Sequence, residues 1–329
     1  MQSQYSAEQL RQIFEGHLER ESAVIQKRHA IYEPMVYLMG LKAKRARPVL
    51  ALLAYQAVSG KEPVAAMDLA LALEFFHNFT LMHDDIMDNA PMRRGMQTVH
   101  EKWDISTAIL AGDALFALTG HYLTISFPTH AASLSSEFSR IALGVCEGQL
   151  EDMELAKQAD VSVQEYVEMI RKKTAMLLGG SMRLGAMAAG TDETTHSELY
   201  WLGEAAGLSF QLMDDYLDAF GEAENFGKQP GGDILENKNT YLLIRAKEKA
   251  KEKISSEKEL NRLLMDEKDP AKKIAGVLNL FEELGIPAET KEKIKVFDSE
   301  METIQSKLIH LPGYGPLRDY LAQLTERKW

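Results

Sequence analysis

Apolar positions in this chain recur at three- and four-residue steps over long distances. From Ala65 to Asn89, from Ser106 to Thr124 and from Leu199 to Phe220 they alternate with Ala, Met and Glu, residues that lose little on entering a helix. The spacing predicts a helix over each stretch. Strictly alternating β-branched runs closed by Gly or Asn-Gly turns are missing, so the pattern predicts an all-α protein. Asn89-Ala90-Pro91 and Phe127-Pro128 mark helix ends, because the residue before a proline is pushed out of the helical region. The longest irregular stretch is Gly221 to Asn239, which holds Gly221, Gly227, Pro230, Gly231 and Gly232. A loop of that length in a compact domain is usually functional or disordered. The Lys/Glu-rich segment from Ala246 to Lys273 reads as two solvated helix faces. No fixed-period repeat or linker interrupts the pattern, which makes residues 1–329 a single helical domain.

Composition narrows the function. With 45% apolar and 26% charged residues the chain can bury a core. Its 37 Lys+Arg against 49 Asp+Glu leave a net charge of −12, the opposite of a nucleic-acid binder. Anions can then be held only by local basic pockets or bridging metal ions. The single cysteine, Cys146, excludes an internal disulfide and Cys-rich metal sites. Met1 to Glu8 shows no signal-like apolar run, and no stretch is expected to reach the ~18 uncharged apolar residues of a membrane span. A soluble cytoplasmic protein without a transmembrane segment is the expectation.

One pattern occurs twice. His83-Asp84-Asp85-Ile86-Met87-Asp88 and Met213-Asp214-Asp215-Tyr216-Leu217-Asp218 share Asp-Asp-x-x-Asp, each at the end of an apolar helical run. The chain has 17 Asp, so chance supplies roughly 0.05 such triplets. On a helix these positions are expected to bring three carboxylates together near an end that is already electronegative. Surrounded by apolar residues, such clusters call for a cation. Carboxylates without His or Cys partners suit a hard ion such as Mg²⁺, which is completed by waters and substrate phosphates. His83 reads better as a hydrogen-bond partner than as a ligand. Basic groups accompany the clusters: Arg93-Arg94-Gly95, the run Lys42-Ala43-Lys44-Arg45-Ala46-Arg47, Lys172-Lys173-Thr174, and Gly227-Lys228 with Lys238-Asn239-Thr240. Together they suit two anionic substrates. Neither a Gly-x-x-x-x-Gly-Lys-Ser/Thr loop nor a Gly-x-Ser-x-Gly elbow is present, which removes support for nucleotide phosphoryl transfer and for a serine hydrolase.

From about Gly40 to Thr240 the chain resembles the trans-isoprenyl diphosphate synthases, or polyprenyl synthetases. The first triplet with Arg93-Arg94-Gly95, and Phe210-Gln211-Leu212-Met213-Asp214-Asp215 through Asp218 with Gly227-Lys228 and Gly232-Asp233, match that family's two aspartate-rich motifs. The resemblance implies a helical bundle around a deep cavity, usually a homodimer, that condenses isopentenyl diphosphate head-to-tail with an allylic diphosphate. It implies three Mg²⁺ ions held by Asp84, Asp88 and Asp214, with Asp85, Asp215 and Asp218 as further ligands or holders of metal-bound water. Arg93, Lys173 and Lys228 would pair with the leaving diphosphate, and Lys238 would assist in binding. Lys44, Arg47, His77 and Arg94 would hold isopentenyl diphosphate, and Thr174 and Gln211 would stabilise the allylic cation. The family's usual Gly-Gly-Lys is replaced here by Lys42-Ala43-Lys44, which implies a small change in loop geometry.

Phe79 and Phe76 precede Asp84 by about 7.5 and 12 Å along the helix axis. They read either as core packing or as a floor that stops chain growth, and in the family bulky groups there accompany short products. A farnesyl and a geranylgeranyl product both remain open. Two other readings are a terpene cyclase, whose second metal motif normally mixes Asn, Ser or Thr with Glu, and a non-catalytic regulatory subunit of a prenyl synthase.

Overall fold

The computed structural model describes residues 4–221 and 231–325, which are overwhelmingly helical. Helices α1 (Ala7–Gln26), α2 (Tyr32–Met39), α3 (Ala46–Ser59), α4 (Met67–Met87), α5 (Val99–Lys102), α6 (Ile105–Ser126), α7 (Ala131–Leu155), α8 (Val163–Ile170), α9 (Met176–Ala188) and α10 (Glu193–Phe220) are followed by Gly232–Leu235, Tyr241–Ala250, Ile254–Met265, Pro270–Glu283, Ile286–Leu308 and Tyr314–Thr325. Local signals set many starts. Ser6 and Gln9 form a capping box on α1, Ser162 and Glu165 another on α8, and the Asp104 carboxylate accepts from the Thr107 amide at 2.8 Å.

The chain forms two compact units from interleaved segments. The first runs up to Ile141 and adds Leu178–Trp201 and Lys307–Tyr320; the second takes Ala142–Leu177, Leu202–Ser306 and the chain from Leu321. Each change of unit falls within a helix rather than in a Gly- or Pro-rich connection.

In the first unit α4 packs on α3 and α6, and every residue from Leu69 to Phe76 is buried, Glu74 included. A helix apolar on all sides belongs inside a core. On α9, a Cβ at Gly185 would stand 2.2 Å from the Ala51 carbonyl oxygen of α3, so only glycine allows that approach. In the second unit the C-terminal half of α10 is central: Leu208, Leu212, Met213, Tyr216 and Leu217 pack with Tyr166, Ile170, Tyr241, Ile244, Ile294 and Phe297. Leu242, Leu260, Leu263, Val277, Leu280 and Phe281 form a further cluster. The Lys/Glu-rich stretch is therefore amphipathic, with Leu260 and Leu263 turned inward.

Two local features go beyond the periodicity reading and leave the all-α class unchanged. Residues 92–97 form a small antiparallel hairpin, β1 (Met92–Arg93) and β2 (Met96–Gln97), turned by Arg94 and Gly95 at φ 54° and 78°. Positive φ at both central residues is what a two-residue hairpin needs, and Arg-Gly supplies it without the Asn-Gly signal. Secondly, the Pro63–Met87 segment and α6 are each long and apolar enough to cross a membrane by length and composition. The apolar window of the first is 61% buried within the protein and that of α6 39%, and α6 carries only Asp113 as a charge.

Gly185→Ala should lower stability by about 1–3 kcal/mol, because a backbone carbonyl cannot rotate away from the new methyl group. The check is the thermal unfolding midpoint, and an unchanged midpoint would contradict the packing described.

Candidate active site

The first unit gathers a basic pocket beside the end of α4. Arg45, the residue before α3, has φ 52°. That left-handed conformation turns its side chain inward, where one terminal nitrogen lies 2.5 Å from Glu74 Oε1 and the other donates to the carbonyls of Met39 (2.5 Å) and Leu41 (3.2 Å). Asn78, one turn beyond Glu74, donates to the same carboxylate oxygen at 3.0 Å. Arg45 and Glu74 are both buried, so the pair ties the loop after α2 to α4. Arg45 stands in the sequence only as one cation of the run Lys42 to Arg47, and Glu74 in no motif, although a lone Glu within the apolar run Leu69–Phe76 is a signal.

Two residues further on, Arg47 approaches His77 Nε2 at 3.1 Å. As a guanidinium only donates, the imidazole accepts and is neutral. Burial, then the charges of Arg47, Arg94, Arg93 and Arg45, hold His77 well below its ordinary range. Burial also draws Arg47 down to about 10, against the raising effect of Glu74. The structure thus brings Arg47, His77 and Arg94 into one electrostatic cluster, while Lys44 stands exposed on the same loop.

At the end of α4 the three carboxylates diverge. Asp84 is partly exposed and Asp88, the C-cap, is exposed, but Asp85 is buried at 2% exposure. Arg93 on β1 grips it: Nε donates to both Asp85 oxygens at 2.8 Å, and a terminal nitrogen lies 2.6 Å from Oδ1 and 3.8 Å from Asp84. The expectation of three convergent carboxylates is corrected by helix geometry. Positions i and i+4 differ by ~40° around the axis, whereas i+1 lies ~100° away, toward the protein. The hairpin that places Arg93 is held by the Tyr37 hydroxyl on the Gln97 carbonyl (2.8 Å) and by the Thr98 hydroxyl on the Ala90 carbonyl (2.7 Å). His83 Nε2 lies 3.3 Å from the Ile109 carbonyl oxygen, and its ring lies against Gly112, where a Cβ would meet Nε2 at 2.3 Å. Phe76, fully buried, and Phe79, partly exposed, form an aromatic group with Phe116 and Phe138; Phe76 meets Phe138 edge-on at 5.0 Å, and Phe79 lies 5.2 Å from Phe116.

The second unit repeats the arrangement on α10. Asp214 and Asp218 are partly exposed and Asp215 is buried. The Asp215 carboxylate accepts from the Tyr166 hydroxyl and, at 3.1 Å, from Gln211 Nε2, whose amide oxygen accepts from Thr174 at 3.2 Å. Burial pushes Asp215 up to about 7, with the Tyr166 hydrogen bond opposing and Asp233 adding to the rise. Asp218 accepts from the Asp233 amide at 3.0 Å, which docks the Gly232–Leu235 turn. Lys173 and Thr174 lie in a π-helical turn, Arg171–Ala175, between α8 and α9. Such turns are frequent at functional sites. Lys173 reaches Asp152 at 2.6 Å and Lys172 reaches Glu151 at 2.5 Å. Burial alone would lower the Lys238 ammonium, but Asp233, Asp215 and Asp152 together raise it. Lys228 lies outside the described residues. A separate cavity of about 430 Å³ is lined by Glu151, Glu154, Glu165 and Glu168, a wall that would repel a diphosphate.

Among the described residues no three His, Cys, Asp or Glu side chains are gathered to hold an ion by themselves. Each triplet offers its outer two carboxylates. That donor set suits Mg²⁺, which fills most of its shell with water and phosphate oxygens.

Residues 28–281 match the family model described as polyprenyl synthetase. A geranylgeranyl pyrophosphate synthase of Geoglobus acetivorans is 41% identical over 223 residues, 67% of this chain and 69% of its own. A crystal structure of a geranylgeranyl pyrophosphate synthase superposes with a TM-score of 0.90 at 39% identity, covering 99% of this chain and 100% of that one. The geranylgeranyl pyrophosphate synthase of Corynebacterium glutamicum, complexed with isoprenyl diphosphate and magnesium, gives a TM-score of 0.84 at 26% identity over 98% of both chains.

A neutral His77 has a folded-state pKa below its unfolded value near 6.5. The unfolded chain then binds more protons, so this contribution is complete above about pH 6.5 and is lost as the pH falls below it. Urea unfolding from pH 8 to 5 should show wild-type stability declining more steeply on the acid side than that of His77→Gln; parallel profiles would contradict a neutral His77.

Proposed function

The chain belongs to the polyprenyl synthetase family, and from that premise we propose that it condenses isopentenyl diphosphate with allylic diphosphates to give geranylgeranyl diphosphate. The observations that carry the reading are the two aspartate triplets, each with its outer carboxylates more exposed than its middle one, and, in the first unit, a built basic pocket at Arg47, His77 and Arg94. The twenty-carbon product is supported by the geranylgeranyl names of several similar proteins, and a short product by the aromatic group of Phe76, Phe79, Phe116 and Phe138.

Asp84, Asp88, Asp214 and Asp218 would hold Mg²⁺, three ions with substrates bound, which supplies positive charge where the allylic diphosphate departs. Arg47, Arg94 and Lys44 bind the isopentenyl diphosphate. With Nε2 accepting from Arg47, neutral His77 carries its proton on Nδ1. Lys173, Lys228 and Lys238 complement the leaving diphosphate, so the developing negative charge meets positive charge. Thr174 and Gln211 present oxygen dipoles to the allylic cation. The isopentenyl double bond attacks that cation, and the proton lost in forming the new double bond goes to the released diphosphate. Arg93, engaged with Asp85, orients the first triplet.

The purified chain, given Mg²⁺, isopentenyl diphosphate and five- to fifteen-carbon allylic diphosphates, should yield a ladder ending at twenty carbons by mass spectrometry. Phe79→Ala should extend it. A cyclic hydrocarbon, or no extension, would overturn the assignment, and an unchanged ladder for Phe79→Ala would remove the floor.

We also propose a homodimer through α6, whose exposed Ile105, Ile109, Leu110 and Phe116 share one face with a single charge, Asp113. Leu110→Asp should convert a dimer to a monomer in sedimentation velocity; a wild-type monomer would refute the interface.

A further inference from the structure

We propose that Tyr166 is a positioning residue for the reacting centre: through Asp215 and Gln211, its hydroxyl sets the direction in which the Thr174 hydroxyl points. The inference rests on the functional reading above, in which Thr174 and Gln211 face the allylic cation.

Four side chains from three elements make one hydrogen-bonded chain. Tyr166 lies on α8, Thr174 in the π turn, and Gln211 and Asp215 one turn apart on α10. In its carboxylate form Asp215 can only accept. It takes the Tyr166 hydroxyl on Oδ2 and the Gln211 amide nitrogen on Oδ1. An amide whose nitrogen faces Asp215 must present its oxygen on the other side, where Thr174 Oγ1 lies at 3.2 Å. That oxygen cannot donate, so the threonine hydroxyl gives its proton to Gln211. The Thr174 lone pairs then point away from Gln211. A hydroxyl held in this sense offers the negative end of its dipole to its remaining surroundings, which suits an electron-poor carbon.

Both Tyr166 (3% exposed) and Asp215 (6%) are buried, so water does not compete for the ends of the chain. Without the tyrosine hydroxyl, Asp215 loses its donor on Oδ2 and is free to turn, and the sense of the Gln211 amide is no longer imposed. The backbone of the π turn is placed by different contacts. A Cβ at Gly148 on α7 would meet the Lys173 amide nitrogen at 2.3 Å, and one at Gly207 on α10 would meet Ala175 Cα at 2.6 Å. These glycines fix where the turn sits, and Tyr166 fixes how its hydroxyl is aimed.

The test is a double-mutant cycle of Tyr166→Phe and Thr174→Val in the full chain, read as the single-turnover condensation rate at saturating substrates. Mg²⁺ half-saturation and thermal midpoints are measured alongside. Tyr166→Phe should lower the rate about 10- to 100-fold, as loss of an outer-shell partner does, with the KM for isopentenyl diphosphate and the Mg²⁺ half-saturation unchanged. In the Thr174→Val background it should cost little further, because the two residues act as a unit. Equal losses in both backgrounds, or a change confined to Mg²⁺ half-saturation, would overturn the inference. Should Tyr166→Phe not fold, Asp215→Asn replaces it. An asparagine can donate to Gln211, turn its amide round and reverse the threonine, so a wild-type rate in that variant also overturns the proposal. A wild-type chain that forms no prenyl diphosphate overturns the functional reading itself, and this inference with it.

Discussion

Arg45 and Glu74 meet inside the first unit, and the order of the basic pocket depends on that contact. Arg45 accepts a left-handed backbone, which costs an L-residue about 1–2 kcal/mol. Removing one partner of a buried ion pair costs about 3–5 kcal/mol because it strands the other charge, so an inward-turned Arg45 requires Glu74. The consequence is geometric. Glu74, His77 and Asn78 lie at i, i+3 and i+4 on α4: Glu74 meets Arg45, His77 meets Arg47 in the first turn of α3, and Asn78 donates to the Glu74 carboxylate. The same helix ends at Asp84 and Asp88, so the spacing between basic pocket and carboxylates is set by a rigid rod with a buried middle.

Both aspartate triplets divide their labour in the same way. The middle residue is buried and saturated by protein donors, Arg93 for Asp85, and Tyr166 with Gln211 for Asp215. The outer two remain accessible to some degree. A third outward carboxylate would add repulsion without a partner. Turned inward, it becomes the anchor through which a hairpin or a neighbouring helix holds the helix end. The two anchors differ in chemistry: an arginine compensates Asp85 with full charge, whereas neutral donors leave Asp215 elevated by burial.

Close approach is the second device by which this fold aims its groups. Gly112 admits the His83 ring, and Gly148 and Gly207 admit the π turn, at distances no Cβ would allow. The glycines contribute no chemistry. They let long helices carry Thr174 and His83 to positions that loops would hold less firmly.

Helices α4, α6 and α10 were legible from the sequence because apolar positions recur there at three- and four-residue steps among helix-forming residues. The two triplets were legible because their chemistry is local: carboxylates at i and i+4 on one helix need no tertiary information to be neighbours. The direction of each triplet's middle residue was not, since it depends on what packs against the helix. Nor could the run Lys42 to Arg47 say which cation turns inward; only the buried Glu74, 29 residues beyond Arg45, selects Arg45. Tyr166 gave no signal, as a tyrosine on the apolar face of a helix reads as core until Asp215, 49 residues on, is found against its hydroxyl. The hairpin around Arg94-Gly95 was missed because Gly95 alone is a weak turn signal, and the contacts of Tyr37 and Thr98 that hold its flanks are tertiary. Periodicity and local spacing reside in the chain itself, whereas the pairing of buried charges and hydroxyls exists only once distant segments exclude water together.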